Sequence, residues 1–179
     1  MLHKSIFFSL LCAAALMISA CGGGGSSSSD GSGSTSKGSG TTHSTGTFKV
    51  FVPDGWLAIP FQFNGEHNPN AVGIYKGAKS EYDMLSCPGI QIYIPATKGR
   101  VPTDKSDYDD VTELEPWVLD NYTWKGFTGT YRTSSLGILM NDGDDGYQVS
   151  VYMKVATSNK TISVNDADVK AIVASIKPE

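Results

Sequence analysis

The sequence predicts an α+β fold: an antiparallel β-sheet flanked by helices, forming one domain over residues 48–179 behind a leader and a flexible tether. Three observations predict it. Tyr147, Val149, Val151, Met153 and Val155 alternate with Gln148, Ser150, Tyr152 and Lys154, the period of a strand. Val169, Ile172, Val173 and Ile176 recur at i, i+3, i+4 and i+7, the apolar stripe of a helix that must lie on a sheet. Ahead of residue 48, by contrast, lies a long run of Gly, Ser and Thr with almost nothing to bury.

The first twenty residues have the three parts of a secretory leader. Lys4 supplies a positive end, residues 6–18 an apolar segment interrupted only by Ser9, and Ser19 and Ala20 a small-residue cleavage region. The apolar segment falls short of the ~20 residues of a spanning helix. Ile18-Ser19-Ala20-Cys21 resembles the lipobox of bacterial lipoproteins, an aliphatic residue and two small ones before a cysteine. The resemblance implies cleavage before Cys21, acylation of its sulfur, and a membrane partner held through that lipid. One acyl chain binds a membrane only marginally, whereas two or three on Cys21 would suffice.

Residues 21–47 read as the lipidated cysteine and a coil. Among Gly, Ser and Thr, only Asp30, Lys37 and His43 stand out, and His43 is expected to be solvated. A chain of this kind has a root-mean-square span of roughly 25–30 Å.

The domain itself carries 12 Lys or Arg against 17 Asp or Glu, a net charge near −5, with seven of the acids between Asp104 and Asp120. No basic face is visible, so a nucleic-acid partner is excluded. By the lipobox resemblance, Cys12 would leave with the leader and Cys21 would be acylated. Cys87 is then the one ordinary thiol, which rules out an intramolecular disulfide and favours burial.

In chain order, Phe48, Val50 and Val52 alternate as a strand, and Pro53-Asp54-Gly55 is a turn. Residues 56–63 form a second strand that Pro60 places at an edge or a bulge. The Asn, Gly, His and Pro cluster over residues 64–70 reads as a loop, and residues 71–75 and 90–94 as strands. Residues 95–110 read as an acidic loop. Val111, Leu114, Val118 and Leu119 have roughly helical spacing, giving a helix over 115–122 with Pro116 in its first turn. Residues 125–133, 135–141 and 147–156 are an antiparallel set. Asn165 or Ser163 caps the last helix, with Asp166 and Asp168 in its first turn, where the helix dipole favours negative charge.

The opening Phe48-Lys49-Val50-Phe51-Val52-Pro53-Asp54-Gly55-Trp56 resembles the start of Mog1/PsbP-like domains, and the closing residues 169–177 resemble the helix that ends them. The resemblance implies an α/β/α sandwich and a non-catalytic tendency, with no particular activity attached.

Four groups of residues are candidates for chemistry. Asp142, Asp144 and Asp145, within Asn141-Asp142-Gly143-Asp144-Asp145-Gly146, could offer oxygens to a calcium ion, but the EF-hand spacing fails at Gly146 and Met153. A hairpin turn explains the same residues. The acids Asp104, Asp107, Asp109, Asp110, Glu113 and Glu115 could hold a cation or a basic partner, or simply form a solvated loop. Trp117, Tyr122 and Trp124, with Phe127 and Tyr131, would stack on a ligand if exposed, and are core or cross-strand pairs if not. Cys87 and His67 are the one imaginable nucleophile–base pair, with no base near Cys87 in sequence. No motif points to a cofactor. The expectation is an extracytoplasmic, lipid-anchored module that binds a protein or small ligand without catalysis. An envelope hydrolase with a site assembled from distant residues, or a structural spacer in an envelope complex, are the alternatives.

The lipid reading makes a direct prediction. Cys21→Ala abolishes fatty-acid labelling and moves the protein out of the membrane fraction, as read by metabolic labelling and fractionation.

Overall fold

The computed structural model of the chain describes residues 38–94, 101–119, 122–144 and 146–179. The leader, Cys21 and the stretch up to residue 37 lie outside the described residues. Among the described residues ten strands and one α-helix follow in order: β1 (Gly40–Ser44), β2 (Phe48–Pro53), β3 (Trp56–Phe63), β4 (Glu66–Lys76), β5 (Gly89–Tyr93), β6 (Asp109–Leu119), β7 (Tyr122–Tyr131), β8 (Ser134–Asn141), β9 (Gln148–Lys154), α1 (Ala167–Ala174) and β10 (Lys177–Pro178). Seven strands form an antiparallel sheet in the order β3-β4-β5-β9-β8-β7-β6, and β1-β2-β10 form a second, small one.

Strand alternation divides the large sheet into two unlike faces. Val72 and Ile74, Ile90 and Ile92, Val149 and Val151, Leu139 and Trp124 point to one side. There they meet Phe48, Val50 and Val52 of β2 and the predicted stripe of α1, Val169, Ile172 and Val173, all three fully buried. An eight-residue helix is unstable alone, so this burial is what holds α1. Ser175 pins its end: its hydroxyl accepts from Phe51 N and donates to Ile172 O, both at 2.7 Å. At the other end Trp56 Nε1 donates to Asp168 at 3.2 Å and carries Lys76 over its ring, tying the Pro-Asp-Gly-Trp turn to the start of the helix.

The architecture is α+β and antiparallel, but one α-helix among the described residues replaces the expected flanking pair. Of residues 115–122, those described are strand and not helix. Asp109–Leu119 is an edge strand, and its register on β7 slips between Leu114 and Trp117. The slip sets three residues against two, so Leu114 and Trp117, three apart, reach the same face. A bulged strand thereby imitates helical spacing, and Pro116, inside the slip on an edge, forfeits no ladder bond. Pro60 behaves as expected: β3 is the other edge, with a register shift between Pro60 and Gln62.

Residues 64–70 are not a loop either. Asn64 and Gly65 both have positive φ, 54° and 81°, as a two-residue hairpin turn of type I′ requires, and β4 begins at Glu66. Asp166, rather than Asn165 or Ser163, is the N-cap residue of α1, and its carboxylate accepts from Ser163 N.

Residues 40–44, which the sequence reading puts in the coil, are strand. Residues 40–44 pair with β2, because Thr41 and Thr42 are β-branched and Thr45-Gly46 makes the turn, Gly46 at φ 94° and the Thr45 hydroxyl accepting from Phe48 N. Eighteen residues of the sequence lie between Cys21 and this strand. His43 is therefore no linker residue. It lies on β1 opposite Val50, with Nε2 buried and unpartnered, while His67 on β4 donates to Thr45 O at 3.0 Å.

Burial, and then His67, push the pKa of His43 below its ordinary value. Lys49, Glu66, Lys177 and Glu179 are the other charged groups on or next to the adjoining strand segments, and Lys49 is already paired with Glu179. The folded state thus binds a proton at His43 less readily than the unfolded chain, and stability falls as pH drops below about 6.5. Amide exchange in β1, corrected for intrinsic rates, is expected to lose protection between pH 7 and 5, and His43→Val to remove that step.

Candidate functional site

The residues singled out by the sequence do not converge. Asp142 spends its carboxylate on the backbone: Oδ1 accepts from Thr123 N at 2.8 Å, which holds its pKa below the usual range. The turn closes through Asn141 N to Tyr147 O and Gly146 N to Gly143 O. Asp144 lies in that turn and Asp145 outside the described residues. Among the described residues no three His, Cys, Asp or Glu groups could hold one metal ion.

The acidic stretch is partly a loop, in which Asp104 caps a single 3-10 turn through Ser106 N, and partly β6, whose Glu113 pairs with Lys105. Carboxylates along an edge strand keep it from pairing with another chain.

The aromatic candidates are core. Trp124 is completely buried, and Tyr122 stands edge-on to both Trp124 and Tyr147 at 6.0 Å. Trp117 packs on the same cluster under Lys170, whose ammonium lies 5.2 Å from the ring centroid. None of the three is a free stacking platform.

Cys87 and His67 belong to opposite ends of β4. Lys76 N donates to Pro88 O at the Cys87 end, while His67 lies near the start of the strand, about 30 Å away at strand rise. Cys87 is buried with Ile59 and Tyr75, as its class favours.

The unusual chemistry lies on the face away from α1, where sequence reasoning saw only the polar half of an alternation. Tyr75, Gln91, Tyr93, Gln148, Ser150 and Tyr152 run across β4, β5 and β9 in register. Gln91 Nε2 donates to Tyr75 at 2.9 Å and Gln91 Oε1 accepts from Tyr93. Gln148 Nε2 donates to Val101 O at 3.0 Å, and its Oε1 is buried without a partner. Burial raises the phenol pKa of Tyr75, Tyr93 and Tyr152, the last to about 12, so all three stay neutral hydrogen-bonding groups. The signal available in sequence was the run of Tyr and Gln at alternate positions of two otherwise apolar strands.

Two concavities open on this side of the sheet. One, of about 430 Å³, lies between edge strand β3 (Ile59, Pro60, Phe61) and the 3-10 turn Glu81–Leu85, where Tyr82 and Leu85 are 84% and 77% exposed. The other, of about 350 Å³, lies at the β7–β8 turn. Tyr131, Arg132, Ser134, Leu136 and Tyr152 line it, with Val101 and Pro102 across from them. Tyr108 stiffens that end, edge-on to Phe127 at 5.0 Å, against Tyr131 at 5.4 Å, and donating to Pro102 O at 2.7 Å.

No protein-family model and no curated protein matches the chain. Among solved structures it is similar to the solution structure of cyanobacterial PsbP from Synechocystis, at 10% identity and a TM-score of 0.39, over 84% of this chain and 98% of that one. No helix among the described residues is long and apolar enough to cross a membrane.

With the residue 6% exposed inside an apolar cluster, Cys87 is expected to react with iodoacetamide at least tenfold more slowly than free cysteine at pH 8, and at the free rate only after unfolding. Mass spectrometry of timed samples reads this.

Proposed function

We propose that the chain is a membrane-anchored, extracytoplasmic binding module that holds a protein or small ligand without transforming it. The Mog1/PsbP-like resemblance of its two ends fits that role. Ile18-Ser19-Ala20-Cys21 supports the place, since acylation there tethers whatever follows. The observation that carries the role is the groove along β3. Tyr82 and Leu85 stand almost fully exposed beside it, and Phe63 half-exposed at the end of the same strand. Large apolar side chains gathered at one concave edge cost solubility and mark surfaces that are covered in use.

Chemistry on a substrate would need a nucleophile beside a base, or two carboxylates facing one point. The groove offers neither: Glu81 is the one acid on its wall, and the remaining lining residues are apolar or neutral.

The test uses the full chain in its own membranes. A photo-crosslinker placed at Tyr82 is expected to yield a discrete adduct that Leu85→Ser reduces severalfold, while one placed at exposed Thr112 on the far edge yields none. Turnover of ester, amide or glycoside reporters by the purified protein, persisting in Cys87→Ser, would overturn the non-catalytic reading.

A further inference from the structure

We infer that the cleft at the β7–β8 turn binds a small organic anion, a carboxylate carried on a flat apolar body, with Arg132 reading the charge. The inference rests on the reading of the chain as a binding module and names a ligand class for one of its two concavities.

Arg132 stands in a backbone conformation that its side chain does not favour. It is the first residue of a two-residue hairpin loop between Tyr131 and Ser134, with φ 56°. Glycine, asparagine and aspartate fill such positions at little cost, and a long side chain there is uncommon. Strain of this sort persists where the side chain is used.

The guanidinium is also unspent. Its carbon lies 5.2 Å from the Tyr131 ring centroid, stacked on the aromatic face, and no acid among the described residues pairs with it. Asp109 stands opposite Thr130 in register, two residues away, without forming an ion pair. A stacked guanidinium keeps its fork of N–H donors in one plane, the arrangement that meets a carboxylate through two parallel bonds.

The surroundings complete the complementarity. Thr133 and Ser134 offer hydroxyls that make no hydrogen bond among the described residues. Leu136 and Val101 supply apolar wall, and Tyr131 and Tyr152 two aromatic ones. A volume of about 350 Å³ is at the small end for ligand pockets and suits a body the size of one ring. Tyr131 is held through Tyr108, itself anchored on Pro102, so the wall is set before the ligand arrives.

The probe is 4-fluorobenzoate, titrated into the full chain in neutral detergent and followed by its fluorine resonance. Wild type is expected to bind it saturably, and Arg132→Gly to weaken binding by about tenfold or more. Glycine adopts φ 56° freely, so the melting temperature of Arg132→Gly should equal or exceed that of wild type, which separates lost recognition from lost folding. Equal binding of neutral 4-fluorobenzyl alcohol, or equal binding by Arg132→Gly, would overturn the assignment of charge to Arg132. Competition by inorganic phosphate at the same concentrations as benzoate would overturn the apolar body. None of these failures touches the adducts expected at Tyr82, which test the binding-module reading on a separate surface.

Discussion

The structure depends on burying one face of the seven-stranded sheet. Aliphatic residues from β4, β5, β9 and β8 leave an apolar surface that cannot face water, and β2 with α1 is what covers it. Neither cover could stand alone. The helix has eight residues, and β2 pairs only with a peripheral five-residue strand and a two-residue one. Large sheet and cover are therefore stable together or not at all. The chain builds this seam from its two ends, residues 48–52 and 169–176, which closes the domain around everything between.

The opposite face is where the fold has freedom. It has no α-helix over it among the described residues, only the short 3-10 turn at Glu81–Leu85 and the segment holding Val101, Pro102 and Tyr108. Partial cover leaves concavities at its two ends, and its middle is filled by tyrosine and glutamine rather than aliphatics. A buried row of neutral donors and acceptors orders a surface without charging it. The dry face thus supplies stability, while the polar face supplies the surfaces that can meet other molecules.

Both edges of the sheet use one device. Pro60 on β3 and Pro116 on β6 each stand beside a register slip, and β6 carries a series of carboxylates as well. Proline removes a donor and the slip bends the strand, so neither edge offers a long flat ladder to another chain. The charges make β6 the better protected of the two. The β3 edge instead has exposed apolar residues beside it, which is why the proposed binding surface is put there.

Local patterns in the chain were enough for the strands with clean alternation, for the stripe of α1, for the turn at Asp54-Gly55 and for the burial of Cys87. At Asn64-Gly65 the pair carried the signal of a two-residue hairpin, which the reading of residues 64–70 as a loop missed. What a linear reading could not separate was the bulged strand β6 from a helix, because one extra residue in a strand turns a spacing of two into three. Nor could it bring Arg132 and Tyr152 to one cleft, or Tyr75 beside Gln91, since those groupings come from how the strands pair. The sequence by itself determined which segments are apolar on one side, and so which had to find a cover. Tertiary structure alone decided which strands became edges and which side chains line a cleft, because pairing partners are selected by the whole sheet and carry no mark in the residues that flank them.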